Sequence, residues 1–138
     1  MRMKKFRRVI QPGDHIIAQR GKWGRDLWTH HAIYIGNGRV IQLEEGGIRD
    51  RSLKNFRDGG DVWIKHHRRK RAFDRAEVMA RATRNLGPHH YCLFCCNCQH
   101  FATWCVEGRV FSKQVDNSSW LSRFGLSISG HSDLEFKP

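Results

Sequence analysis

An α+β domain, with a small antiparallel β-sheet packed against helices, is predicted for this 138-residue chain. Three observations predict it. Apolar, β-rich runs fill the first half of the sequence and helix-forming patterns the second. Asn37-Gly38 separates two of the β-rich runs, the strongest short-range hairpin signal a sequence can carry. Asn97-Cys98-Gln99-His100-Phe101 opens an apolar run that stops at Gly108, which reads as a helix with an Asn N-cap and a Gly stop.

The elements follow in chain order. Residues 1–8 are strongly basic and read as an N-terminal arm ahead of a folded domain over 9–124. Gln11-Pro12-Gly13-Asp14 is a turn signal, and His15 to Gln19 a strand after it. Arg20 to Leu27 holds two Gly and several charges and reads as a loop. His31 to Ile35 and Val40 to Leu43 are the hairpin strands. Regular pairing about Asn37-Gly38 sets residue 35 opposite 40 and 33 opposite 42, with Gln42 near residues 31–33. A slip of one residue would change the face that Gln42 shares.

Glu44 to Gly60 is polar, with Leu53 and Phe56 as anchors into the core. Asp61 to His66 is a further strand, running into the basic stretch Lys65 to Arg71. Asp74-x-x-Glu77 is a capping-box pattern for a helix with Ala76, Met79, Ala82 and Leu86 on one face, closed by Gly87-Pro88. Ser112 to Phe124 holds a short helix carrying Val115, Trp120, Leu121 and Phe124. Residues 125–138 are polar and Ser-rich and are expected to form a flexible C-terminal tail.

Lys and Arg outnumber Asp and Glu by 25 to 13, a net charge of +12 that attracts nucleic acid, anionic membrane or acidic protein. No transmembrane run or signal-peptide pattern is visible, so a cytoplasmic protein is expected. The run Lys65, Arg68, Arg69, Lys70 and Arg71 suits RNA phosphates, and also serves as a nuclear address. Five cysteines, four of them crowded at 92, 95, 96 and 98, fit a reducing compartment better than a disulfide framework.

Cys98 is the candidate nucleophile. In the first turn of a helix, unpaired N–H groups and the helix dipole favour an anion, and the thiolate is the reactive form. Nine histidines are candidate bases. His66 and His67 sit in the basic run, His89 and His90 flank a turn, and His131 lies in the tail. His30 differs, because it leads into the first hairpin strand and shares a face with Ala32 and Tyr34. Cys92-x-x-Cys95 has zinc-ligand spacing, but no second Cys/His pair at structural-site spacing accompanies it. No metal or cofactor is therefore expected, and Cys92, Cys96 and Cys105 are read as core cysteines.

Pro12-Gly13-Asp14, His30-His31-Ala32-Ile33-Tyr34-Ile35-Gly36, Asn97-Cys98-Gln99-His100-Phe101 and Ser112-Lys113-Gln114-Val115 together resemble the lecithin:retinol acyltransferase-like, or H-box/NC, family. The resemblance covers roughly residues 9–124 and implies a permuted papain-like fold. It implies Cys98 as nucleophile, His30 as base, and Gln42 at the third polar position that orients the imidazole. His31 falls where many members have Trp, Cys96 where an extra Asn is common, and Gln99 where an acidic residue is usual. Cellular members carry a hydrophobic anchor that Gly125 to Pro138 does not supply, which with the basic charge brings the picornavirus 2A branch nearest. The main expectation is thus a viral H-box/NC protein acting through RNA or host-protein binding. The alternative is a thiol-dependent phospholipase A/acyltransferase that carries a lipid acyl group as a thioester on Cys98.

Overall fold

The computed structural model describes residues 9–20, 28–67, 71–92, 97–109 and 136–138. In chain order the elements are β1 (His15–Arg20), β2 (Trp28–Gly36), β3 (Arg39–Glu44), β4 (Gly47–Ser52), α1 (Leu53–Arg57), β5 (Val62–Ile64), α2 (Arg75–Arg84) and α3 (Cys98–Glu107). The strands form one antiparallel sheet in the order β4-β3-β2-β1-β5. This is the predicted α+β class. The helix expected over 112–124 lies outside the described residues, as do the arm 1–8 and the tail as far as 135.

Alternation along the strands gives the sheet two buried faces. Ile33, Ile41, Leu43 and Ile48 pack with Val78 and Ala82 of α2 and with Phe101, Ala102, Cys105 and Val106 of α3. The opposite face carries Ile16, Ala18, Ala32 and Val40, closed over by Phe56 of α1. Every residue of α3 from Cys98 to Val106 is buried, so this helix is enclosed all round rather than resting one stripe on the sheet.

The β2–β3 turn uses left-handed backbone at Asn37 (φ 52°) and Gly38 (φ 69°), as an Asn-Gly hairpin requires. The register departs from the regular one. Ile33 pairs with Ile41 and Tyr34 with Val40, and an irregularity between Tyr34 and Gly36 precedes the Gly36–Arg39 pair. The bulge shifts the pairing by one residue, so Gln42 comes level with Ala32 and shares the face of Ala32 and His30.

β4 and α1 were not foreseen in the polar stretch 44–60. β4 is an edge strand with only Gly47 and Ile48 buried, and its solvent side is held by charge pairs, Arg39 with Asp50 at 2.9 Å and Arg51 with Glu44. Such a strand shows no apolar alternation to read. α1 is capped by Ser52, whose Oγ accepts the Asn55 N–H at 3.0 Å, and buries the anchor Phe56.

α2 begins as predicted, with the Asp74 carboxylate accepting the Glu77 N–H at 2.8 Å. Its buried face is different: Val78, Arg81 and Ala82 point inward, while Ala76 and Leu86 are exposed. The phase is set by Arg81, whose guanidinium lies 4.0 Å from the Phe73 ring centre and 3.7 Å from that of Trp104. Its Nη2 donates to the Trp104 carbonyl at 3.1 Å, so a charged residue does the packing expected of an aliphatic one.

Residues 136–138, the described part of the segment read as a tail, sit against the domain. Phe136 is buried against Phe101 and Trp104, and Asn85 brackets Lys137 with bonds of 2.6 Å to its N–H and 2.8 Å to its carbonyl. One aromatic side chain suffices to seat the last residues of a polar segment. Cys92 is disulfide-bonded, which the reading of it as a packed, reduced cysteine did not include.

Candidate active site at the mouth of α3

Asn97 builds the start of α3. Its side-chain oxygen accepts the N–H groups of Gln99 at 3.0 Å and His100 at 3.2 Å. His100 Nδ1 accepts the Asn97 N–H at 3.0 Å in return, a capping box in which imidazole replaces the usual Glu or Gln. The helix ends on Gly108 in the left-handed conformation. Replacing Asn97 by Ala removes the acceptor for two buried donors, and a loss of about 1 kcal/mol or more in unfolding free energy is expected by urea titration.

Cys98, outside any disulfide and 8% exposed, stands in the first turn of this capped helix. Its Sγ lies 3.9 Å from the Thr29 carbonyl oxygen, which sets it beside the opening of β2, one residue from His30. The His30 ring is half-buried and meets Phe56 edge-on with centroids 6.4 Å apart. Gln42 is buried on the same sheet face as His30. Its Nε2 donates to Glu44 at 2.6 Å, while its Oε1 is buried without a hydrogen-bond partner. A carbonyl oxygen is thus left for an N–H donor on that face.

Asp14 of the Pro-Gly-Asp turn is a structural carboxylate. One oxygen accepts the Gln11 N–H at 2.8 Å, and the other receives Arg75 at 2.6 Å and Arg71 at 3.3 Å. The backbone bonds Gly13 N–H to Tyr34 O and Tyr34 N–H to Asp14 O clamp the turn onto β2. Arg71 therefore serves a buried carboxylate, and Lys65 is half-buried with its N–H on the His15 carbonyl. Arg68, Arg69 and Lys70, the rest of the candidate RNA-binding run, lie outside the described residues. Among the described residues no group of three His, Cys, Asp or Glu is placed to hold a metal ion, and no helix is long and apolar enough to cross a membrane.

Sequence reasoning missed three other histidines. His15 and His31 face the α3 side of the sheet, the first fully buried and the second nearly so. His15 Nε2 and His31 Nδ1 are 2.7 Å apart, and His15 Nδ1 and His67 Nε2 2.9 Å. His67 Nδ1 is 2.9 Å from a carboxylate oxygen of Glu107, the last residue of α3. His31 Nε2 meets the Thr29 hydroxyl at 3.2 Å. Burial, with the neighbouring cations and imidazoles, keeps the rings neutral: His31 is pushed down to about 3, His15 falls well below 6.5, and His67 falls despite the nearby Glu107.

Residues 8–111 match the family model described as lecithin retinol acyltransferase. The chain belongs to the lecithin retinol acyltransferase family. The lecithin retinol acyltransferase of Rattus norvegicus is 26% identical over 125 residues, covering 67% of this chain and 54% of the relative. That of Mus musculus is 33% identical over 125 residues with the same coverage, and that of Bos taurus 28% over 121 residues, covering 64% and 53%. The chain spans about half the length of the curated relatives it matches. These matches favour the acyltransferase alternative over the viral, RNA-directed reading of the sequence.

Proposed function

We propose that this member of the lecithin retinol acyltransferase family is a thiol-dependent acyltransferase or phospholipase-like hydrolase acting on a lipid ester. The observation that carries the reading is the placement of a cysteine thiol at a capped helix mouth, 3.9 Å from the backbone of the strand that bears His30. Its relatives are acyltransferases, which argues for an acyl ester as donor.

In this reading the Cys98 sulfur attacks the ester carbonyl and His30 takes the thiol proton. Collapse of the tetrahedral adduct returns that proton to the leaving alcohol and leaves a thioester. Water, a hydroxyl or an amine then gives a proton to His30 and attacks the thioester carbon, and sulfur departs as thiolate. Gln42 is the orienting residue in this reading, its Oε1, buried without a hydrogen-bond partner, being available to accept an imidazole N–H. An amide adds no negative charge there, so it positions the ring without stabilising an imidazolium as a carboxylate would. Backbone N–H groups at the start of α3 form part of the oxyanion hole in this reading.

Incubation with a short-chain phospholipid or an acyl thioester, followed by intact-mass measurement, tests this. One acyl group is expected on the wild type and none on Cys98→Ala. A wild-type chain that takes up no acyl group, while its thiol remains alkylatable, would end the enzyme reading.

A further inference from the structure

We propose that the cleft between the end of α2 and α3 is a peptide-docking site, which residues 136–138 hold closed as a built-in ligand. The partner it takes is an extended peptide with an aromatic side chain followed by a residue that has a free backbone N–H. This site is separate from Cys98 and does not depend on the reading of that thiol.

Asn85 reads the peptide backbone. It is the C-cap of α2, 7% exposed, and both N–H groups and the oxygen of its amide are engaged. Nδ2 donates to the Arg81 carbonyl at 2.7 Å and to the Lys137 carbonyl at 2.8 Å, while Oδ1 accepts the Lys137 N–H at 2.6 Å. Two carbonyls need the nitrogen on their side, so the amide fits only one way round. The bond to Arg81 lies within the end of α2 and needs nothing from residue 137, so the amide is oriented before a peptide arrives. What it presents is one acceptor and one donor for the N–H and C=O of a single residue. A sheet edge offers an added strand the same pair of bonds.

The aromatic side chain has its own pocket. Phe136 is 5% exposed, its ring stacked on His89 at 5.0 Å between centroids and set against Trp104 at 5.1 Å and Phe101 at 5.3 Å. Trp104 is fixed in turn by Arg81, which lies 3.7 Å from its ring centre and donates to its carbonyl at 3.1 Å. Val78 and Ala82 of α2 share a core with Phe101 and Ala102 of α3, which holds the two walls of the cleft together.

Residues 136–138 belong to no helix or strand, and Lys137 and Pro138 are exposed. Recognition therefore rests on one ring and one residue's backbone, with the Lys137 side chain left in solvent. An apolar residue at position 85 would seat the ring without burying an amide, so packing alone does not call for Asn85. Leu86, next to it in the chain, is one of two large apolar side chains exposed among the described residues, the other being Val9. The bond from the Lys137 N–H also sets a rule: proline is excluded after the aromatic residue, since it has no N–H to give.

The test uses the full chain and a synthetic peptide of the sequence at 134–138, Leu-Glu-Phe-Lys-Pro, followed by ¹H–¹⁵N correlation spectra. Phe136→Ala empties the ring pocket. The peptide is expected to return the Asn85 side-chain amide and Trp104 indole signals of this variant toward their wild-type positions. It should do so at about one-tenth of the concentration that perturbs the wild type, whose own segment competes. Replacing Phe by Ala in the peptide should abolish binding, and replacing Lys by Pro should weaken it about tenfold. Lys137→Pro keeps the ring and removes only the N–H, and is the second variant should Phe136→Ala not fold; it too should take the peptide more tightly than the wild type does. A folded variant whose Asn85 and Trp104 signals stay fixed in peptide excess overturns the docking site. Equal binding of the Phe and Ala peptides overturns the ring pocket, and equal binding of the Lys and Pro peptides overturns Asn85 as the reader. No readout involves acyl transfer or Cys98, so a failure of the proposed function shows separately as a missing acyl adduct.

Discussion

Below about pH 6.5 the folded state is expected to lose stability steeply, by roughly 3 kcal/mol per pH unit from His15 and His31 together. Both rings are buried and hydrogen-bonded as neutral groups, and their folded values lie far below 6.5. In the unfolded chain each binds a proton at its ordinary value. Between that value and the folded one the unfolded state holds more protons, so the histidines favour unfolding as pH falls. Their contribution is harmless above about 6.5 and its cost continues to grow toward about 3, where His31 would charge in the fold. Lys65 deepens the effect at both rings, and Arg71 adds to it at His15. His67 shifts in the same direction with Glu107 opposing, and so contributes less. Urea unfolding at a series of pH values from neutral to mildly acidic measures the slope. His15→Leu, which removes one titrating ring, should flatten it. Equal unfolding free energies at neutral and mildly acidic pH would show that these rings do not stay neutral in the fold.

What the sequence disclosed and what it hid divide along a physical line. The hairpin at Asn37-Gly38, the Asp74 cap and the Asn97 to Gly108 helix rest on chemistry within a few residues, and each was legible. The bulge between Tyr34 and Gly36 was not, because register depends on which side chains the completed core accepts. β4 escaped because its edge position leaves charged residues on the strand. Arg81 escaped because pattern reading sends a guanidinium to solvent, whereas Phe73 and Trp104 enclose it. At the candidate site, the place of Cys98 in the first turn of α3 was readable from the Asn97 cap. The line from His31 to Glu107 was not. His15 looked like an ordinary strand residue and His67 like part of a charge run, and only the β1–β2 pairing and the return of the chain past β5 bring them together.

The second large effect is expected at Gly47, where Gly47→Ala should cost about 3 kcal/mol or more. Two independent penalties act there. The backbone has φ of 147°, which side-chain-bearing residues rarely adopt, and a Cβ would stand 2.3 Å from the Gly87 carbonyl oxygen and 3.0 Å from Pro88 Cα. Neither obstacle is the end of a flexible side chain. The carbonyl is fixed by the Ile48 N–H at 2.9 Å, and the Gly87 N–H returns to Ile48 O at 3.0 Å, the bridge that ties the sheet edge to the segment after α2. Relief of the clash must therefore break this bridge or shift β4. Gly38→Ala is the control: φ is 69° and nothing lies within 4 Å of the new Cβ, so only the left-handed backbone is penalised, at about 1 kcal/mol. Chemical denaturation of the two variants separates the terms, since both carry a backbone penalty and only Gly47→Ala carries the collision. Equal losses in the pair would mean that β4 yields freely, and that the bridge to Gly87 does not hold the sheet edge in place.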